Sequence, residues 1–209
     1  AIYRGNWHEA YEILSLTNDF PEFTGRICPA LCEKSCVLKL AVDAPVTIRE
    51  DEGAIAETAF REGYVVPRQY QRNGKKVAVV GSGPAGLATA NQLNRRGYDV
   101  TVFERREAVG GLLRFGIPNF KLNKAIKDRR VDVMKAEGIT FEVNADIDIL
   151  NLPKGFDADA VCTGTPQARD LNMPGRDLNG VHFALDRQSQ QNRVIAGQTF
   201  TADERVKAK

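Results

Sequence analysis

The chain has 209 residues, 43% of them apolar, which is enough for one medium domain and a smaller companion. Lys and Arg total 29 against 27 Asp and Glu, and a net charge of +2 gives no electrostatic case for nucleic acid or an anionic membrane surface. No apolar run approaches the ~20 residues that span a bilayer, and the first residues lack the basic-then-apolar order of a secretory leader; small molecules and proteins remain as partners, and the cytoplasm is the expected compartment.

"GNWHEAYEILSLTND" sets Trp7, Ala10, Tyr11 and Leu14 at helical spacing, with Asn18-Asp19 as a stop. "GRICPALCEKSCVL" follows and holds Cys28, Cys32 and Cys36, three of the four cysteines in the chain. "EDEGAIAETAFREG" puts Ile55, Ala59 and Phe60 on one face of a second helix. Residues 1–66 therefore read as a small helical module, and 67–74, with Pro67 and Asn73-Gly74, as a linker.

From Lys75 the pattern alternates. "KKVAVV" predicts a buried strand, "PAGLATANQLNRRG" a helix, "DVTVFE" a strand, "LNKAIKDRRVDVMKAEG" a helix, "ITFEV" a strand and "FDADAVCTGT" a further buried strand ending in a Gly turn. That order predicts the α/β class, with a parallel Rossmann-type sheet and right-handed crossovers in a domain over 75–209. The charge runs "NRRG", "ERRE" and "KDRR" read as solvated helix faces and loop ends, and His8 and His182 as ordinary helix or surface residues.

Between the first strand and its helix, Gly81, Gly83 and Gly86 form G-x-G-x-x-G, and the next strand ends in Glu104. Gly81 permits the tight turn, Gly83 lets backbone approach a pyrophosphate, and Gly86 lets helix and strand pack closely; the helix N-terminus supplies N–H donors. Glu104 suits ribose hydroxyls and would repel a 2′-phosphate, so FAD and NAD fit this loop better than NADP. The bland alternative is a tight turn without a ligand. In a reducing compartment the clustered cysteines read as metal ligands or redox thiols; buried free thiols are an alternative, and for a zinc site neither His8 nor His182 is suitably spaced.

"FPEFTGRICPALCEKSC", "PVTI", "GSGPAGLATA", "FERREAVGGLLRFGIPNFKL" and "MPGRDLNGVHFALD" succeed one another as in the FAD and iron-sulfur flavoproteins that include the small (beta) subunit of NADPH-dependent glutamate synthase, the N-terminal part of dihydropyrimidine dehydrogenase and the large subunit of NADH-dependent ferredoxin:NADP oxidoreductase. The chain resembles that family over nearly its whole length. The resemblance implies that NADPH reduces FAD and that electrons leave through 4Fe-4S clusters toward a large (alpha) subunit or another electron-accepting partner. It implies FAD contacts at Gly81, Ser82, Gly83, Pro84, Ala85 and Gly86, at Glu104 and Arg105, at Gly111 and Leu112 beyond the second glycine pair, at Lys121, at Ile147 near the adenine, at Thr163 and Gly164 in the second signature "DADAVCTGT", and at Ile27 beside the cysteines. Cys162 stands in that signature where Ala is usual and reads as a small buried hydrophobe, or more weakly as a redox thiol.

Cys28, Cys32 and Cys36 correspond to the second half of the family's cluster module, with Glu52 at the place of an unusual non-cysteine ligand. The chain is expected to be an excerpt: it starts at Ala1 and stops in "TADERVKAK", and the resemblance implies further cysteines upstream and an NADPH domain downstream. After "HFALD", Arg187-Gln188-Ser189 stand where the family continues with apolar residues, a local departure from the resemblance. The alternative function is a non-catalytic binding or assembly module, or the equivalent part of a related enzyme such as a ferredoxin:NADP oxidoreductase or dihydropyrimidine dehydrogenase.

Overall fold

The computed structural model describes residues 1–201; most of the charged end "TADERVKAK" lies outside them. After a 3-10 turn at Ile2–Arg4, the elements run α1 (Trp7–Ser15), α2 (Pro21–Ile27), α3 (Leu31–Lys34), α4 (Lys39–Val42), α5 (Ile48–Arg61), β1 (Lys76–Val80), α6 (Pro84–Arg95), β2 (Asp99–Glu104), α7 (Leu112–Phe115), α8 (Lys124–Ala136), β3 (Thr140–Val143), β4 (Ala158–Val161) and α9 (Ala184–Ile195). They form two compact units, 1–69 with 121–137, and 70–120 with 138 onward. The second of the long crossover helices, α8, thus belongs to the helical unit.

In the helical unit α1 starts where the Asn6 side chain accepts from Glu9 N–H, an N-cap bond. Its Ala10 and Tyr11 bury against Ile55 and Ala59 of α5, with Trp7, Leu14, Tyr64 and Val65 around them. Helices α2 and α5 meet at two glycines: a Cβ on Gly25 would lie 2.6 Å from Gly53 N and 2.7 Å from Gly53 Cα. Only hydrogen atoms fit at that crossing.

The run "KDRR" is not a solvated face. Lys127 is 2% exposed and Arg130 7%; Glu22, fully buried on α2, accepts from both Nε and Nη2 of Arg130. Nη2 also donates to the Tyr11 hydroxyl at 3.3 Å, and the guanidinium lies over the Phe60 ring at 5.0 Å. A buried charge persists only when it is paired and hydrogen-bonded, and both conditions hold here. Burial opposes the charge on Arg130, but Glu22 outweighs it and raises the pKa. Beside this pair Glu57 receives Arg129 at 3.0 Å and Arg26 at 2.9 Å, and Arg129 stacks on the other ring contact of Phe60 at 3.9 Å.

In the other unit the strands are all parallel, in the order β3-β2-β1-β4. Val77 to Val80 are buried at the sheet's centre, the continuous apolar run of a strand covered on both faces. The strand in "FDADAVCTGT" forms but is not buried: Ala158, Asp159 and Val161 are exposed, because among the described residues β4 ends the sheet and pairs with β1 alone. Arg72 holds the turn after α6, donating to Asn94 Oδ1 at 2.6 Å and Tyr98 O at 2.8 Å. Within "HFALD", from Ala184, the chain forms α9, whose buried Asn192 donates to the carbonyls of Phe115 and Ile117 at 3.0 and 3.1 Å. Arg106 and Arg193 flank the Phe115 ring at 4.7 and 5.1 Å, so part of "ERRE" is also drawn inward.

Candidate functional site

The glycine loop is built at the end of β1. Gly81 has φ 104°, and a Cβ there would meet Cys162 O at 2.5 Å; a Cβ on Gly86 would lie 1.8 Å from Gly81 O. These two glycines are demanded by the protein's own backbone. Gly83 is different: its backbone is extended, with φ −66° and ψ −179°, and a Cβ would meet nothing within 4 Å. The empty volume above Gly83 is the place a pyrophosphate needs. Helix α6 begins there with Pro84, which needs no N–H partner, and no side chain caps it, so its first N–H groups are left for an anion.

A second turn closes over the first. Gly111 has φ 49°, and a Cβ on it would lie 2.8 Å from Gly83 Cα. Glu104, 5% exposed at the end of β2, receives Ser82 N–H at 3.2 Å and the Ser82 hydroxyl on Oε2, and Arg106 N–H at 2.9 Å on Oε1. Each carboxylate oxygen has two acceptor positions, so one remains open on Oε1 for a ribose hydroxyl. Cys162 is half-buried behind the loop: its N–H donates to Val80 O at 2.7 Å, and its sulfur lies 3.8 Å from Thr89 Oγ1.

The same unit holds Arg105, Leu112, Thr163 and Gly164, all exposed, and the half-buried Ile147. Ile27 and Lys121 fall in the helical unit. The hydrogen bond from Gly110 N–H to the Ser82 hydroxyl, 2.9 Å across 28 residues, was not legible in the sequence, because no local pattern links the two positions.

In the helical unit Cys28 follows the last turn of α2 and its sulfur accepts from Ala30 N–H at 3.4 Å; Ala30 takes a left-handed backbone, φ 51°. Cys32 is exposed on α3. The N–H groups of Val46 and Leu38 hold the Cys36 thiol below its usual pKa, and nearby Lys39 adds to this against a small effect of burial. Glu33 accepts from Arg49 N–H at 2.8 Å and so ties the cysteine segment to the start of α5. Glu52 is half-buried on α5 and accepts from the Thr24 hydroxyl at 2.7 Å, and Thr24 in turn accepts from the Asn18 amide at 2.9 Å.

Among the described residues no three His, Cys, Asp or Glu side chains are placed to share one metal ion. A 4Fe-4S cubane makes a different demand, since each iron takes its own protein ligand and the sulfurs accept backbone N–H bonds. The donor set fits that chemistry: three free thiols, two with N–H groups aimed at sulfur, and a carboxylate fixed by a hydroxyl.

The first 64 residues match the family described as dihydropyrimidine dehydrogenase domain II, 4Fe-4S cluster, and residues 79–133 match the NAD(P)-binding Rossmann-like domain. The glutamate synthase [NADPH] small chain of Bacillus subtilis is 48% identical over all of this chain and 43% of its own length. This chain is similar in sequence to the glutamate synthase small chain along its whole length. It spans less than half the length of that relative. The glutamate synthase [NADH] of Schizosaccharomyces pombe is 47% identical over 88% of this chain and 9% of its own length. Among solved structures, FprA, a Mycobacterium tuberculosis oxidoreductase, is similar with a TM-score of 0.50 and 26% identity, over 60% of this chain and 29% of that one. No helix among the described residues is long and apolar enough to cross a membrane.

Proposed function

We propose that this stretch is the flavin and iron-sulfur part of a cytoplasmic, NADPH-dependent oxidoreductase of the glutamate synthase type, which passes electrons through FAD and 4Fe-4S clusters to a large subunit. Residues 75–209 begin the FAD domain, 1–66 form the iron-sulfur module and 67–74 join them. The observation that carries this reading is the open space at Gly83, facing an uncapped helix and bordered by Glu104 and Gly111. When bound, FAD takes two electrons from a nicotinamide and gives them up singly to clusters.

The residues divide the work of binding. Gly83, Pro84 and Ala85 admit the pyrophosphate to the start of α6, and Glu104 takes a ribose hydroxyl. Leu112 and Ile147 give apolar contacts, Lys121 and Arg105 give positive charge, and Thr163 and Gly164 border the loop from the end of β4. Ile27, next to Cys28, is assigned a contact with the flavin. Cys28, Cys32, Cys36 and Glu52 hold part of a cluster. NADPH is assigned to a separate nucleotide domain, because the glycine loop is taken by FAD and Glu104 would repel a 2′-phosphate.

Anaerobic reconstitution with FAD, iron and sulfide tests the reading. The expected product shows a flavin band and a broad brown cluster absorption, and Gly83→Trp loses the flavin while the cluster remains. A colourless product would favour the assembly-module alternative. This stretch loaded with FAD should be reduced only slowly on stopped-flow mixing with NADPH, because its glycine loop is occupied by FAD and hydride transfer needs the nicotinamide held against the flavin; rapid bleaching would overturn the placement of the donor.

A further inference from the structure

We propose that Ser82 is a positioning residue that locks the glycine loop, the end of β2 and the second glycine turn into one rigid bed and sets the Glu104 carboxylate for the adenosine ribose. The proposal rests on the FAD reading for its ligand but on the protein's own hydrogen bonds for its mechanism. Ser82 is fully buried, so it acts through its neighbours. Its N–H and its hydroxyl both donate to Glu104 Oε2, and the same hydroxyl accepts from Gly110 N–H at 2.9 Å. One small group thus serves as donor and acceptor together, which alanine cannot do.

The consequences follow from which atoms are joined. Gly110 leads into Gly111, whose Cα–H side lies against Gly83, so fixing Gly110 fixes the roof of the pyrophosphate space. Two donors on Oε2 and one on Oε1 leave the carboxylate a single orientation, with its open position on Oε1. Removing the hydroxyl leaves the buried Gly110 N–H without its acceptor and frees Glu104 to turn. Sequence spacing shows nothing of this, since the joined residues are 22 and 28 apart.

The test uses the intact protein with Ser82→Ala, Glu104→Gln and the double variant. Amide hydrogen exchange without cofactor should accelerate at Gly110 in Ser82→Ala while the amides of β1 stay protected. FAD titration should show binding weakened about tenfold in Ser82→Ala, the loss of one hydrogen bond to a charged group. The double variant should lose less than the product of the two single effects, because both act through one carboxylate. Unchanged exchange at Gly110, unchanged FAD binding in Ser82→Ala, or fully multiplicative effects would each overturn the lock. Should Ser82→Ala fail to fold, Glu104→Gln carries the test, because its single amide oxygen cannot accept at both former carboxylate positions: exchange must rise at the Ser82 or the Arg106 amide. An unmodified protein that takes up no FAD would overturn the cofactor reading and the binding half of the proposal, and the exchange at Gly110 would still decide the lock.

Discussion

The two units hold themselves together by opposite means. The nucleotide-loop unit relies on absent side chains: Gly81, Gly86 and Gly111 sit where any Cβ would strike backbone, and the sheet beneath them is an apolar run. The helical unit relies on large, charged side chains, with Arg130 and Glu22 paired in its interior and Arg129, Arg26 and Glu57 beside them. Glycine packing fixes backbone geometry, which a phosphate loop needs. Arginine clamps join α2 and α5 to α8 beside the apolar cluster that α1 and α5 share.

The largest effect should come from breaking the interior pair. Arg130→Met leaves Glu22 buried and uncompensated, and is expected to destabilise the helical unit by ~3–5 kcal/mol in chemical denaturation. Replacing both members, Arg130→Met with Glu22→Leu, should restore most of that stability. If the double variant were as unstable as the single one, the pair would matter through packing with Phe60 and Tyr11, and the contrast with the apolar unit would weaken.

Next come the glycine contacts, one in each unit. Gly25→Ala forces α2 from α5, and Gly86→Ala forces α6 from the turn at Gly81, each at roughly 1–3 kcal/mol or more. The readouts should separate: Gly86→Ala should abolish flavin uptake, whereas Gly25→Ala should reduce iron and sulfide content on reconstitution, since the crossing lies between Cys28 and Glu52 in the packed helices. Loss of both cofactors from either variant would show that the units are less separate than their packing.

The same contrast explains what was legible in the sequence. The strand-turn-helix rhythm from Lys76 to Val143 follows from apolar period and glycine spacing, both local properties. The burial of "KDRR" was not legible, because Glu22 meets Arg130 across 108 residues and a charge run looks alike whether solvated or paired. Helices α2, α3, α4 and α7 are seven residues or shorter, too short to show a period. Helix α9 buries Gln190 and Asn192, so its inner face is polar and its pattern is hidden. In the site, the glycines and Glu104 were visible by motif, and the bonds that Ser82 and Thr24 make to the two carboxylates were not.

A smaller effect is expected at that polar face. Asn192→Ala removes two bonds to the carbonyls of Phe115 and Ile117, and should lower stability by about 1–2 kcal/mol through buried acceptors left unmet. Protease cleavage within residues 184–195 is the sensitive measurement, because α9 would open before the sheet does. Unchanged cleavage would mean that Arg193 on Glu107 and the Phe115 stacking suffice to hold the helix.

The smallest effect concerns acid. Burial raises the Glu57 pKa, but the hydrogen bonds and charges of Arg129 and Arg26 outweigh it, and the net direction is below the usual glutamate value of 4.5. A carboxylate with a depressed folded pKa adds stability above its unfolded pKa, and that contribution is lost as pH falls through the folded value. The helical unit should therefore weaken as pH drops below 4.5, with partial exposure of Glu57 keeping the contribution within the ~1 kcal/mol of an exposed pair. Glu57→Gln should cost about that much at neutral pH and make the acid limb of the stability curve shallower. The Arg130 pair is a built-in control, because its arginine stays charged throughout this window and its variants shift the curve at neutral pH far more than Glu57→Gln does. If Glu57→Gln left the acid limb unchanged, the acid response would belong to other carboxylates, and the outer ring of ion pairs would be secondary to the buried Glu22–Arg130 contact.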